Sequence, residues 1–103
     1  MPVERLVLVV TLEVRRSAAA AFHTYETSAS SIMATHGGRI ERVIEIESDP
    51  GADTFREIHI VTFPGTESFD AYRRDPRITN LAPLRHGAIA HTQILRGRDA
   101  GLY

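Results

Sequence analysis

Leu6-Val7-Leu8-Val9-Val10-Thr11-Leu12 is apolar at odd and even positions alike. Successive residues of a strand point to opposite faces, so a strand of this kind has to be covered on both sides. The pattern predicts a first strand from about Glu4 to Val14. The period then changes: Phe22, Tyr25, Ala29, Ile32 and Met33 recur at helical spacing, and Ser17 stands where a helix N-cap is expected. His36-Gly37-Gly38 closes that helix, because glycine enters the left-handed region without a Cβ clash. From Arg39 to Glu47 the chain alternates, with Ile40, Ile44 and Ile46 opposed to Glu41, Glu45 and Glu47, as in a half-exposed edge strand. Ser48 to Asp53 reads as a turn and Thr54 to Phe63 as the returning strand. Thr66 is placed to cap a short helix that buries Phe69 and Tyr72 and stops at Asp75, since the residue before Pro76 avoids the α region. A compact crossover, Pro76 to Arg85, precedes a last strand from Ala88 to Arg96 and a tail from Gly97 to Tyr103.

This order, βαββαβ, is that of an α+β ferredoxin-like fold. Right-handed crossovers place both helices on one face of a four-stranded antiparallel sheet with strand order 4-1-3-2. A chain of 103 residues is expected to be one domain, residues 1–103, with a small core. Two helices cover one sheet face, so the other needs a partner. A second copy of the chain is the expected one, giving a homodimer whose sheets pack face to face as a dimeric α/β barrel.

Composition narrows the chemistry. The formal net charge is −1, so no global field draws the chain to nucleic acid or to an acidic membrane. No apolar run approaches the roughly 20 residues that span a bilayer. Met1 to Arg5 lacks the features of a secretory signal, which makes the cytoplasm the expected location. There is no cysteine, which removes disulfides, thiolate nucleophiles and cysteine metal sites. All twelve basic residues are arginine, so a lysine Schiff base and a P-loop lysine are both excluded. The five histidines lack metal-ligand spacing, and neither a metal nor a cofactor is expected. Tyr72-Arg73-Arg74-Asp75-Pro76-Arg77 is locally basic and reads as a solvated face.

Extending one parity across all strands puts Leu6, Leu8, Val10, Leu12, Ile40, Ile44, Ile46, Ile58 and Ile60 under the helices. Val7, Val9, Thr11, Glu13, Val43, Glu57, His59, Val61, Phe63, His91 and Gln93 then line the barrel interior, apolar walls with a few polar groups. His59 and His91 would face that interior with Glu13 or Glu57 to tune them. They form either an acid–base or ligating pair, or two partly buried histidines satisfied by their neighbours. Arg85 is placed either to meet a substrate carboxylate or to hold backbone carbonyls or an acid across the dimer. Tyr25 and Tyr72 belong to apolar helix stripes and read as core residues with a hydroxyl at the rim. His23 should face solvent, and His36 sits where a cation suits the helix dipole.

Several local patterns resemble the dimeric α/β-barrel superfamily, and in particular one of its small uncharacterised bacterial families. They are His36-Gly37-Gly38-Arg39, Val61-Thr62-Phe63-Pro64, Phe69-Asp70-Ala71-Tyr72 through Asp75-Pro76, and Leu81-Ala82-Pro83-Leu84-Arg85. Thr62 stands where that family has an acidic residue, and Ile78 where it has an aromatic one. The resemblance implies the barrel fold. It brings in, by fold analogy only, cofactor-independent quinol monooxygenases, haem-degrading oxygenases and lactone isomerases. The chain has no tryptophan, a residue some haem-degrading relatives use. The leading expectation is a barrel that binds a small, partly apolar molecule between its sheets. The rival is a cofactor-independent monooxygenase or isomerase with His59 or His91 as proton acceptor and Arg85 as anion anchor. A third reading, a pure association module, requires a filled interior.

Overall fold

In the computed structural model, which describes residues 5–102, the first strand is central. β1 (Leu6–Arg15) is flanked by β3 (Thr54–Phe63) and β4 (Ile89–Gly97), and β2 (Arg39–Glu45) forms the edge beside β3. All three pairings are antiparallel and the order is β2-β3-β1-β4, the arrangement the sequence predicts. Four helices lie on one side: α1 (Ala19–Thr35), α2 (Thr66–Arg74), α3 (Pro76–Thr79) and α4 (Ala82–Ala88). The expected strand start at Glu4 and the last tail residue, Tyr103, lie outside the described residues. Among the described residues no helix is long and apolar enough to cross a membrane.

Local chemistry explains the element ends. Gly38 N–H donates to Met33 O and Gly37 N–H to Ala34 O, a Schellman closure with Gly37 at φ +75°. Gly38 is needed for a second reason: a Cβ there would lie 2.4 Å from the Phe63 ring. Ser17 does not cap α1. The chain leaves β1 through a 3₁₀ turn, Arg16–Ala18, pinned by Arg16 N–H to Asp53 O and Arg16 Nε to Ala52 O, and α1 begins after it. Thr66 is the first residue of α2, not its cap, and its hydroxyl instead accepts from Arg96. Asp75 is extended, as Pro76 requires, and its carboxylate accepts from Arg77 N–H to cap α3. The crossover expected from Pro76 to Arg85 is therefore two short helices, and β2 ends at Glu45, two residues before the predicted Glu47.

Register corrects the single-parity expectation. Leu6 opposes Phe63, Leu8 opposes Val61 and Val10 opposes His59, so each even residue of β1 shares a face with an odd residue of β3. Glu57, His59, Val61 and Phe63 therefore lie under the helices, while Ile58 and Ile60 join Val7 and Val9 on the open face. In β2 a bulge between Ile40 and Arg42 reverses the phase, so Ile40 pairs with Val61 on the helix side and Ile44 with Ile58 on the open side. Val43, opposite His59, is likewise on the helix side. β4 keeps phase with β1 as far as a shift at Glu13/Val14, which leaves His91 and Gln93 on the open face as expected.

The core lies entirely between sheet and helices. One cluster joins Leu12, Val14, Phe22, Tyr25, Ala29, Phe55, Ala88 and Ile89. The other joins Leu8, Met33, Val61, Phe63, Phe69 and Tyr72. The predicted stripe of α1 is buried apart from Ile32, which is half-buried.

Candidate functional site

The two core clusters do not meet everywhere. Between them, roofed by α1, α2 and α4 and floored by the helix face of the sheet, is a cavity of about 350 Å³. It lies in the region where a small-molecule site of ordinary size would fit. Its walls are apolar, with Leu8, Met33, Val61, Phe63, Phe69 and Ile94 among them. The exposed lining residues are Arg73 and Ile94, which set the mouth between α2 and β4. The pocket is thus on the helix side of the sheet, not on the face expected to form the barrel interior.

The polar groups that reach it are few and convergent: Tyr25 and Glu26 from α1, His59 from β3, Tyr72 from α2, Arg85 from α4 and Thr92 from β4. His59 is 4% exposed. Its Nε2 is 2.8 Å from Glu57 Oε1, and its Nδ1 is 3.7 Å from Glu26 Oε2. A carboxylate only accepts, so in the neutral ring Nε2–H donates to Glu57 and Nδ1 keeps its lone pair. At 3.7 Å Glu26 is beyond hydrogen-bond length of Nδ1. Glu57 holds the ring from the same strand, two residues away.

Burial sets the electrostatics around this ring. It raises Glu26 above its ordinary value of 4.5, with His59 opposing the rise and Glu57 adding to it. It raises Tyr25 also, and there Arg85 opposes. Tyr72 is pushed up strongly, again by burial first. Arg85 donates one N–H to Thr92 Oγ1 at 2.8 Å, and among the described residues no carboxylate lies within ion-pair distance of it. This half-buried guanidinium also bonds the Tyr25 hydroxyl and lies beside the apolar chamber.

Of the five residues singled out from sequence, Glu57, His59 and Arg85 come together here. Glu13 and His91 do not. They oppose each other on β1 and β4, on the far face of the sheet, where Glu13 Oε1 accepts from Thr54 and His91 is exposed. The two histidines therefore cannot act as a pair. Glu26 escaped the sequence reading, although a signal exists: it is four residues after Phe22 and three before Ala29, a carboxylate inside the buried stripe. Arg73, taken as part of a solvated basic run, lines the mouth. His23 is exposed as expected, and His36 pairs with Asp75 at 2.8 Å. No group of three or more histidine, aspartate or glutamate side chains among the described residues is placed to hold a metal ion.

No protein-family model matches the chain, and no curated protein matches it in sequence. Solved structures share its fold. A protein of unknown function from Rhodopseudomonas palustris superposes with a TM-score of 0.81 at 15% identity, over 97% of this chain and 85% of its own. A nipsnap family protein of unknown function from Agrobacterium tumefaciens gives 0.64 at 17% identity, over 97% and 92%. SnoaB, a cofactor-independent oxygenase from Streptomyces nogalater, gives 0.63 at 12% identity, over 94% and 96%. The fold shared with these structures is ferredoxin-like α+β. Likeness at these identities is likeness of fold, and the chemistry has to be argued from this chain's own residues.

Proposed function

We propose that this chain forms a homodimeric α/β barrel that binds a small, partly apolar organic acid, a phenol or enol, in the helix-side cavity, with His59 accepting its proton. One observation carries the reading: a buried histidine, held at Nε2 by Glu57 and with Nδ1 3.7 Å from the Glu26 carboxylate, lines an apolar chamber together with an arginine that has no carboxylate within ion-pair distance among the described residues. The base would take the proton while the Arg85 guanidinium holds the anion formed, a division of labour common to enolate and phenolate chemistry. Such an anion has two outcomes without a cofactor. It regains a proton at another atom, which is an isomerisation, or it is captured by dioxygen. The presence of a cofactor-independent oxygenase among proteins of this fold makes oxygen uptake the first assay.

The test uses umbelliferone, a planar hydroxycoumarin whose neutral and ionised forms absorb differently. The wild-type chain is expected to bind it and to raise its ionised fraction at neutral pH. His59→Ala should keep binding and lose the extra ionisation. Arg85→Gln should reduce both, since the anion loses its anchor, by about tenfold in affinity. An ionised fraction that is unchanged in His59→Ala rules out His59 as the acceptor. Absence of binding to the wild-type chain removes the reading altogether.

A further inference from the structure

The mouth of the cavity carries an arrangement that the proton-transfer site does not use. Arg73 from α2 and Arg96 from β4 both lie over the ring of Phe69, with their Cζ atoms 5.2 and 5.6 Å from its centroid. Phe69 is itself a wall of the chamber, and Arg73 lines it. Arg96 opposes Leu8 and so stands on the helix side of the sheet, where its Nη2 donates to Thr66 Oγ1 at 3.1 Å. Among the described residues neither guanidinium has a carboxylate within ion-pair distance. Elsewhere on the helix side the exposed Arg77 is paired, with Asp75 at 2.8 Å. Two like charges on one aromatic ring repel each other, and an anion lying between them would relieve that repulsion while accepting from both.

We infer that Arg73 and Arg96 form a second anion subsite at the cavity mouth, so that the ligand is a small amphipathic acid. Its ionisable hydroxyl lies inward at His59 and Arg85, its apolar body lies against Phe63, Phe69 and Met33, and its carboxylate lies outward between the two arginines. This inference rests on the ligand occupying the helix-side cavity. It adds a specificity: the chain selects for a carboxylate remote from the hydroxyl. Both arginines are exposed, so replacing them leaves the core intact.

The experiment compares umbelliferone with its carboxylate derivative, which carries the acid at the end of the ring system away from the hydroxyl. Binding of each is followed by fluorescence in the wild-type chain and in Arg73→Gln/Arg96→Gln. The carboxylate is expected to bind at least about tenfold tighter to the wild-type chain, as two charge-assisted hydrogen bonds allow. The double variant should lose that gain, so that the two probes bind it with equal affinity, and a far-ultraviolet circular dichroism spectrum matching wild type shows that it folds. Equal affinity of the two probes for the wild-type chain overturns the subsite and leaves the cavity reading standing. A gain that survives in the double variant overturns the assignment to these arginines. If neither probe binds, the subsite falls together with the cavity reading.

Discussion

The two faces of one sheet show how differently apolar residues can be employed. On the helix face Leu8, Val14 and Phe63 are at most 1% exposed, each fixed by neighbours from the same chain. On the open face Val7, Val9, Ile58 and Ile60 are just as apolar but only half-buried, and Leu95 is 54% exposed. Five apolar side chains on one sheet surface form a patch of the kind that marks an interface. The helix face is finished within the monomer and encloses a cavity. The open face is finished, on the present proposal, by a second copy. A change on the first face should therefore act at any protein concentration, and a change on the second through the association equilibrium.

The largest expected effect belongs to the finished face. Phe63→Ala empties a site that is packed against Phe69 and Tyr72, with ring centroids at 5.3 and 5.4 Å, and against the bare backbone of Gly38. It should cost about 3–5 kcal/mol in denaturant unfolding, with the loss in kcal/mol the same at dilute and concentrated protein. Ile60→Arg breaks the comparison from the other side. If the open face is covered by a partner, the charge is buried unpaired, and dimer dissociation should strengthen by at least about 3 kcal/mol, read by sedimentation velocity. If the face is bare in water, the change should fall within about 0.5 kcal/mol and no dimer should be seen in either protein.

The same contrast explains what the sequence could disclose. The strands, the long helix and their order were legible because periodicity, the Gly37-Gly38 exit and the Asp75-Pro76 stop are local signals. The double-sided hydrophobicity of β1 was equally plain. What could not be read was phase. Alternation within β3 is evident, but which of its faces joins the even face of β1 depends on register, set by the whole βαβ crossover and not by any neighbouring residue. The bulge beyond Ile40 adds a second hidden reversal. That is why His59 and His91 were placed together, although the sheet separates them. It is also why the cavity lined by His59 and Arg85 opens on the helix side of the sheet, with Glu57 bonded to His59, and not on the face that a single parity assigns to these residues. Glu26 is legible in principle, through its spacing from Phe22 and Ala29, but it stands in the polar run Thr24-Tyr25-Glu26-Thr27-Ser28, which reads as the exposed side of the helix.

A smaller effect tests the clamp that holds the helix layer. Asp75 accepts from Arg77 and from His36, joining the end of α1 to the α2–α3 junction, and these bonds hold its carboxyl well below its ordinary value of 3.8. A depressed folded value means stability that is present above the ordinary value and lost as pH falls toward the folded one. Asp75→Asn keeps an oxygen for the α3 cap and removes the charge. It should lower Tm at neutral pH, and the difference from wild type should close as the solution is taken below pH 3.8. A gap that stays constant with pH would mean that the lost contact, not the charge, carries the effect.

The smallest effect, with the opposite sign, lies in the chamber wall. Glu26 has a folded value above 4.5 because burial disfavours its charged form. A raised acid favours the fold while it is protonated, so its contribution is complete below 4.5 and is lost as pH rises through the folded value. Glu26→Gln imitates the protonated form at every pH. The variant should therefore match wild type in acid and exceed it slightly in Tm once the pH is well above 4.5, the reverse of the Asp75→Asn profile. The substitution should also separate stability from chemistry. His59 keeps its Glu57 partner in the variant, so umbelliferone should still bind and ionise, with the pH midpoint of its ionisation displaced by the loss of the Glu26 charge facing Nδ1. If Glu26→Gln were instead destabilised at neutral pH, the carboxylate would be a net support of the His59 ring, and the chamber wall would be held together by charge in the way the Asp75 clamp is.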